Sequence, residues 1–159
     1  MRGLKAICLL VFAIAATYIL FVVIADSARD TTPPKVDAKL EELVSDWQRE
    51  MQDAGLEYRP AFNRLESIEL SSEKEPWAGV TEVSTRRIKI NPKQLSSGYY
   101  RAKASVYHEL GHWVFCLGHV EGTVMQEKCP SEEELQENWQ DYINDYLQLC
   151  NNNSINAKY

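Results

Sequence analysis

At 159 residues, with four cysteines and three histidines, the chain has room for one small domain once a targeting segment is set aside. Its formal charge is −6, and it becomes more negative when residues 1–25, which hold Arg2 and Lys5, are discounted. An acidic body repels phosphate backbones, which excludes nucleic acid as a partner.

Ala6 to Ala25 is uncharged and follows the basic Arg2 and Lys5, the pattern of an export signal or a membrane span. About 20 residues cross the hydrocarbon as a helix, whereas a cleavable signal has an apolar core of roughly 7 to 15. The length favours an uncleaved anchor. Val23, Ile24 and Ala25 before Asp26 offer a place where a signal peptidase could cut, so secretion after cleavage is the alternative. In either case the basic end stays in the cytoplasm and the remainder lies outside it. The expected organisation is a signal anchor or signal peptide over 1–26, a linker over 27–35 stiffened by Pro33 and Pro34, and a domain over 36–159.

From Val36 to Ala54 the apolar residues Val36, Leu40, Leu43, Val44, Trp47 and Met51 recur at helical spacing, and Gly55 follows as a stop. The stretch from Leu56 to Leu70 is irregular around Pro60 and ends in a short alternation at Ile68, Glu69 and Leu70 that reads as a strand. Ser71 to Pro76 is loop-like. Gly79 to Ile90 is rich in Val, Thr and Ile, which predicts a strand or hairpin ended by Asn91-Pro92. A helix is expected from about Tyr99 to Leu117 with Gly118 as its stop. The last helix, over 131–149, opens on a capping box from Ser131 to Glu134, and Leu135, Trp139, Tyr142, Ile143, Tyr146 and Leu147 follow at three- and four-residue spacing.

Cys8 lies in the apolar run, which leaves Cys116, Cys129 and Cys150 for an oxidising compartment. An odd number points to one bridge and one leftover thiol. A helix over 131–149 would hold Cys129 and Cys150 about 30 Å apart, so the expectation is Cys116 with Cys129, or no bridge at all.

The chemistry sits at His108, Glu109, Leu110, Gly111 and His112. Histidines four residues apart lie one turn apart on the same helix face, where both imidazoles can bind one metal ion. Glu109 turns about 100° from His108, which suits a carboxylate that touches a metal-bound water rather than the metal, and so a general base. Zn²⁺ is the expected cofactor. Catalytic zinc takes three protein ligands, and His119 is the first choice for the third because Gly118 lets the chain turn back after the helix. All the histidines of the chain fall within this segment. A second choice is a carboxylate from Glu132, Glu133 or Glu134, although acids in a first helical turn also serve the helix dipole and its capping. Cys116 lies about 12 Å along the axis from His108, too far for both to share an ion.

The run from His108 to His119, followed by Gly122, Thr123, Val124 and Met125, resembles the metzincin clan of zinc endopeptidases, with their long zinc signature and following methionine turn. The likeness covers about residues 99–130. It departs in two places: His119 stands seven residues after His112 where the clan has six, and Phe115 replaces the glycine that breaks the clan's helix. The resemblance implies that Met125 packs beneath the metal. It also implies that the strand from Gly79 to Ile90 is an edge along which an extended peptide is held; Arg86, Arg87 and Lys89 there also fit charges that protect an edge from unwanted pairing. The whole then reads as an α+β domain, small and zincin-like, with a short mixed sheet, an active-site helix and a C-terminal helix. The expected activity is zinc-dependent hydrolysis of a peptide or protein substrate through a metal-activated water. The alternative is a non-catalytic zinc-binding interaction domain tethered to the membrane.

Overall fold

The computed structural model describes residues 32–72 and 74–156. The apolar run over residues 6–25 lies outside them, and among the described residues no helix is long and apolar enough to cross a membrane. A compact unit spans Pro33–Tyr159. Its described elements run β1 (Lys35–Val36), α1 (Glu41–Asp53), α2 (Arg59–Phe62), β2 (Ser67–Leu70), β3 (Gly79–Glu82), β4 (Arg87–Ile90), α3 (Pro92–Ser97), α4 (Tyr99–Phe115) and α5 (Glu132–Asn156), the last interrupted by non-helical backbone at Asn138. The fold is therefore mixed α and β, with a four-stranded sheet and five helices among the described residues.

The sheet order is β1-β2-β4-β3. β1 and β4 both run parallel to β2, pairing Val36 with Ile68 and Ile68 with Ile88. β3 is antiparallel to β4, pairing Thr81 with Ile88, and forms one edge of the sheet. The β-rich stretch over 79–90 is thus a hairpin. β1 accounts for a difference from the sequence pattern, which carries helical spacing back to Val36. Lys35 and Val36 instead bond to the strand after α2, through Lys35 N to Glu66 O at 3.2 Å and Asp37 N to Ile68 O at 2.9 Å. The helix starts only at Glu41, and Lys35, expected in the linker, belongs to the sheet.

Asn91 ends β4 and also opens the short helix α3, which the sequence pattern did not show. Its Oδ1 accepts from Lys93 N at 3.0 Å, and Pro92 takes the first helical position, where a missing N–H is harmless.

α4 occupies the middle of the domain, with the sheet, α1 and α5 packed around it. Its buried side is fixed by aromatics. Trp47 is fully buried, stacks on Phe62 and donates its indole N–H to Tyr146 Oη at 3.0 Å. Tyr146 in turn donates to the carbonyl of Tyr107 at 2.9 Å, one residue before His108. The apolar stripe of α1, with Leu40, Leu43, Val44, Trp47 and Met51 all buried, is the stripe read from the sequence.

Both ends of α4 are built by particular residues. At the start, the Glu132 carboxylate accepts from Tyr100 N at 3.1 Å and Arg101 N at 2.8 Å, satisfying two of the helix's orphan donors. Gly98 (φ 138°) permits that approach, since a Cβ there would meet the Glu132 carboxyl carbon at 2.1 Å. At the other end, the helix stops at Phe115 rather than running to Leu117. Cys116 takes the left-handed conformation (φ 52°, ψ 35°), and both its N–H and that of Leu117 return to the carbonyl of Gly111. The thiols of Cys116, Cys129 and Cys150 are free, so the expected bridge between Cys116 and Cys129 is not formed. Each of those two lines the wall of one groove, unbonded, Cys116 on the turn after α4 and Cys129 on the approach to α5.

Candidate metal centre

α4 offers Ala104, Ser105, His108, Glu109, His112 and Trp113 to a groove of about 850 Å³, the three- and four-residue spacing placing them on one helical face. The opposite wall is β3 with the residues that lead into it, Trp77 and Ala78.

His108 donates from Nδ1 to the Val124 carbonyl at 3.0 Å, and His112 donates from Nδ1 to the Leu117 carbonyl at 2.7 Å. A carbonyl can only accept, so each Nδ1 carries a proton, and in the neutral ring Nε2 then presents a lone pair. Burial also depresses the His108 pKa, to about 4, which keeps that ring neutral at pH 7. The two Nε2 atoms lie 3.0 Å apart. With both rings neutral, two lone pairs at that distance repel one another unless a cation lies between them. His119 closes the third side, its ring centroid 5.1 Å from that of His108 and 5.0 Å from that of His112, and ligand nitrogens of the three rings all lie within 4.8 Å of one another. Zinc with Zn–N bonds of about 2.0–2.1 Å needs its nitrogens roughly 3.3 Å apart in a tetrahedron. The pair on the helix, 3.0 Å apart, lies close to this, and His119, exposed on its loop, stands beside them with its ligand nitrogen within 4.8 Å of theirs.

The loop after α4 supplies more than the third imidazole. Turning left-handed at Cys116 aims the Leu117 carbonyl at His112, and the chain then folds tightly from Val120 to Gln126. Thr123 Oγ1 donates to Val120 O at 2.8 Å, Met125 N donates to Thr123 Oγ1 at 3.0 Å, and Gly122 takes a positive φ of 76°. This presents the Val124 carbonyl to His108 and buries Met125 completely. Met125 lies against Gly111, where an added Cβ would meet its sulfur at 2.7 Å and the Tyr146 ring at 3.1 Å. Gly111→Ala is accordingly expected to lower stability by about 1–3 kcal/mol through overpacking, although alanine is the better helix former by about 1 kcal/mol. Thermal denaturation with and without zinc measures it, and a variant as stable as wild type would show that Met125 yields to the new methyl.

Glu109 lines the same groove as the imidazoles and is 5 % exposed. Burial raises its carboxyl pKa to about 7, against the opposing effect of the Thr81 hydroxyl, which donates to Oε2 at 2.7 Å. Gly79 makes room for it, since a Cβ there would stand 2.8 Å from Glu109 Cγ and Oε1. The hairpin thus positions this carboxylate from outside the helix.

Of the residues expected at the site, His108, Glu109, His112 and His119 come together on the groove. The glutamates do not join them. Glu132 caps α4 at Tyr100 and Arg101, about two turns before His108. The Glu134 carboxylate accepts from Tyr142 Oη at 2.7 Å, and Glu133 is exposed. The sequence pattern missed Thr81, Gly79 and the carbonyls of Leu117 and Val124. Gly111 did carry a signal: a glycine inside a helix is unfavourable and marks a close approach.

No family model, curated protein or solved structure matches this chain.

Proposed function

We propose that the chain is a zinc-dependent peptidase, a small zincin-like domain in which His108, His112 and His119 hold the metal and Glu109 is the general base. The observation that carries the reading is the pair of Nε2 lone pairs 3.0 Å apart, each fixed by a carbonyl on its Nδ1, with a buried carboxylate beside them on an open groove. Zinc at three imidazoles lowers the pKa of its water towards ~7 and polarises a carbonyl.

Glu109 then has a defined task for each oxygen. Oε2 is held by Thr81, while Oε1 is the oxygen available to take the proton of the attacking water and return it to the leaving amine. Trp77 and Trp113 give the groove apolar walls. β3 is a sheet edge along the same groove, so backbone groups of Gly79 to Glu82 suit an extended peptide laid beside the metal as a further strand. A purely structural zinc site closes its fourth position with a protein ligand and needs no base. Among the described residues the three histidines form the cluster, and it faces the groove. The apolar run from Ala6 to Ala25 is in keeping with a domain tethered to a membrane, or exported, and acting outside the cytoplasm.

The test is elemental analysis of the full-length protein together with an assay of peptide hydrolysis before and after chelation. One zinc per chain and chelator-sensitive cleavage are expected. Bound zinc without cleavage of any peptide would select the non-catalytic interaction domain, and a chain that binds no zinc would remove both readings.

A further inference from the structure

The β3–β4 hairpin turns through Val83 to Arg86, closed by Arg86 N donating to Val83 O at 3.3 Å, and Arg86 takes the left-handed conformation at φ 56°. The position that follows such a turn favours glycine, because a side chain there crowds its own backbone. This chain places an arginine in it. The Arg86 side chain is half-buried and lines the groove, and among the described residues no carboxylate pairs with it.

Two further contacts locate this end of the groove. Glu66 N donates to Arg86 O at 2.8 Å, bringing the chain after α2, with Arg64, alongside the turn. Trp113 donates its indole N–H to Ala61 O at 2.7 Å, fixing the end of α2 to α4 just beyond His112. The groove past the imidazoles is thus bounded by Ala61, Arg64, Trp113 and Arg86. The chain carries a net charge of −6, so guanidinium groups lining this groove stand out against an acidic body. A guanidinium lining the same groove as the Trp113 indole matches a carboxylate side chain, which it can hold by two parallel hydrogen bonds.

We infer that Arg86 determines specificity, selecting a peptide with an acidic side chain a short distance to one side of the scissile bond. The inference rests on the peptidase reading and names its substrate class.

The experiment uses full-length, zinc-loaded protein and sets of quenched fluorogenic peptides, identical except for Glu, Gln or Lys at one position, scanned on both sides of the bond. At one position Glu is expected to exceed Gln in kcat/KM by about tenfold, the ratio shrinking at high salt. Arg86→Gly suits the left-handed turn and so preserves the hairpin, and in it the ratio falls to about one. Arg86→Glu shifts the preference to Lys, which a merely structural role would not do. The same Glu-over-Gln ratio is expected in equilibrium binding to Glu109→Gln protein, where no cleavage intervenes. A ratio unchanged between wild type and Arg86→Gly, or a ratio of one in wild type, overturns this inference and leaves the peptidase standing. Failure of the zinc-loaded protein to cleave any peptide overturns both.

Discussion

Glu109→Gln is expected to reduce peptide hydrolysis by about 10²–10⁴-fold while the protein keeps its zinc. The expected loss follows from the role proposed for the carboxylate. Proton transfer by a positioned side chain contributes typically 10²–10⁴-fold, and glutamine keeps the shape of glutamate and can still meet Thr81, but it cannot accept a proton. Retention of metal follows from the geometry, because Glu109 points into the groove beside Thr81 and Gly79 and is not among the clustered imidazoles. The substitution also exchanges a buried group whose pKa is pushed up to about 7 for a neutral one, so stability should hold or rise slightly. Single-turnover assays with zinc content measured on the same samples check all three statements. Residual turnover near the wild-type rate would remove Glu109 from the chemistry.

His119→Ala is expected to weaken zinc binding by more than about a hundredfold. Outer partners that only orient a ligand are worth roughly 10–100-fold in affinity, and a ligand itself should exceed them. A Glu132/Glu133/Glu134 triple alanine variant should keep its zinc and lose stability instead, because Glu132 holds Tyr100 N and Arg101 N at the start of α4 and loss of such a cap costs about 1 kcal/mol. Competition with a chromophoric chelator reads the affinities, and thermal unfolding reads the cap. Equal zinc affinity in wild type and His119→Ala would leave two imidazoles alone and send the search for a third ligand elsewhere.

What the sequence made legible was what depends on local spacing. The α1 stripe from Leu40 to Met51, the hairpin over 79–90 and the shared face of His108 and His112 all follow from periodicity, and the structure contains them. The end of α4 was not legible, since Cys116 has no general preference for the left-handed region and adopts it because its N–H and that of Leu117 both reach the Gly111 carbonyl. Glu132 reads as an ordinary first-turn acid of its own helix. That it caps a different helix depends on Gly98 lying beside it in space. Gly79 and Thr81 read as strand residues, and only the packing of the hairpin on α4 reveals them as the surroundings of Glu109.

The sequence separations within the centre differ in a way that bears on how the protein folds. The three imidazoles and the carbonyls that orient two of them lie between His108 and Met125, with contacts spanning 16 and 5 residues. Closing loops this short costs little entropy, so the cation-binding part can assemble from one helix and its own following turn. The hydroxyl that aligns Glu109 comes from 28 residues away and from a sheet that needs β2 in place between its neighbours. Contacts of that range cost more loop-closure entropy than those within the helix and its turn. On the reading proposed here, holding the ion depends on a short stretch of chain, whereas using it depends on the sheet being in place as well.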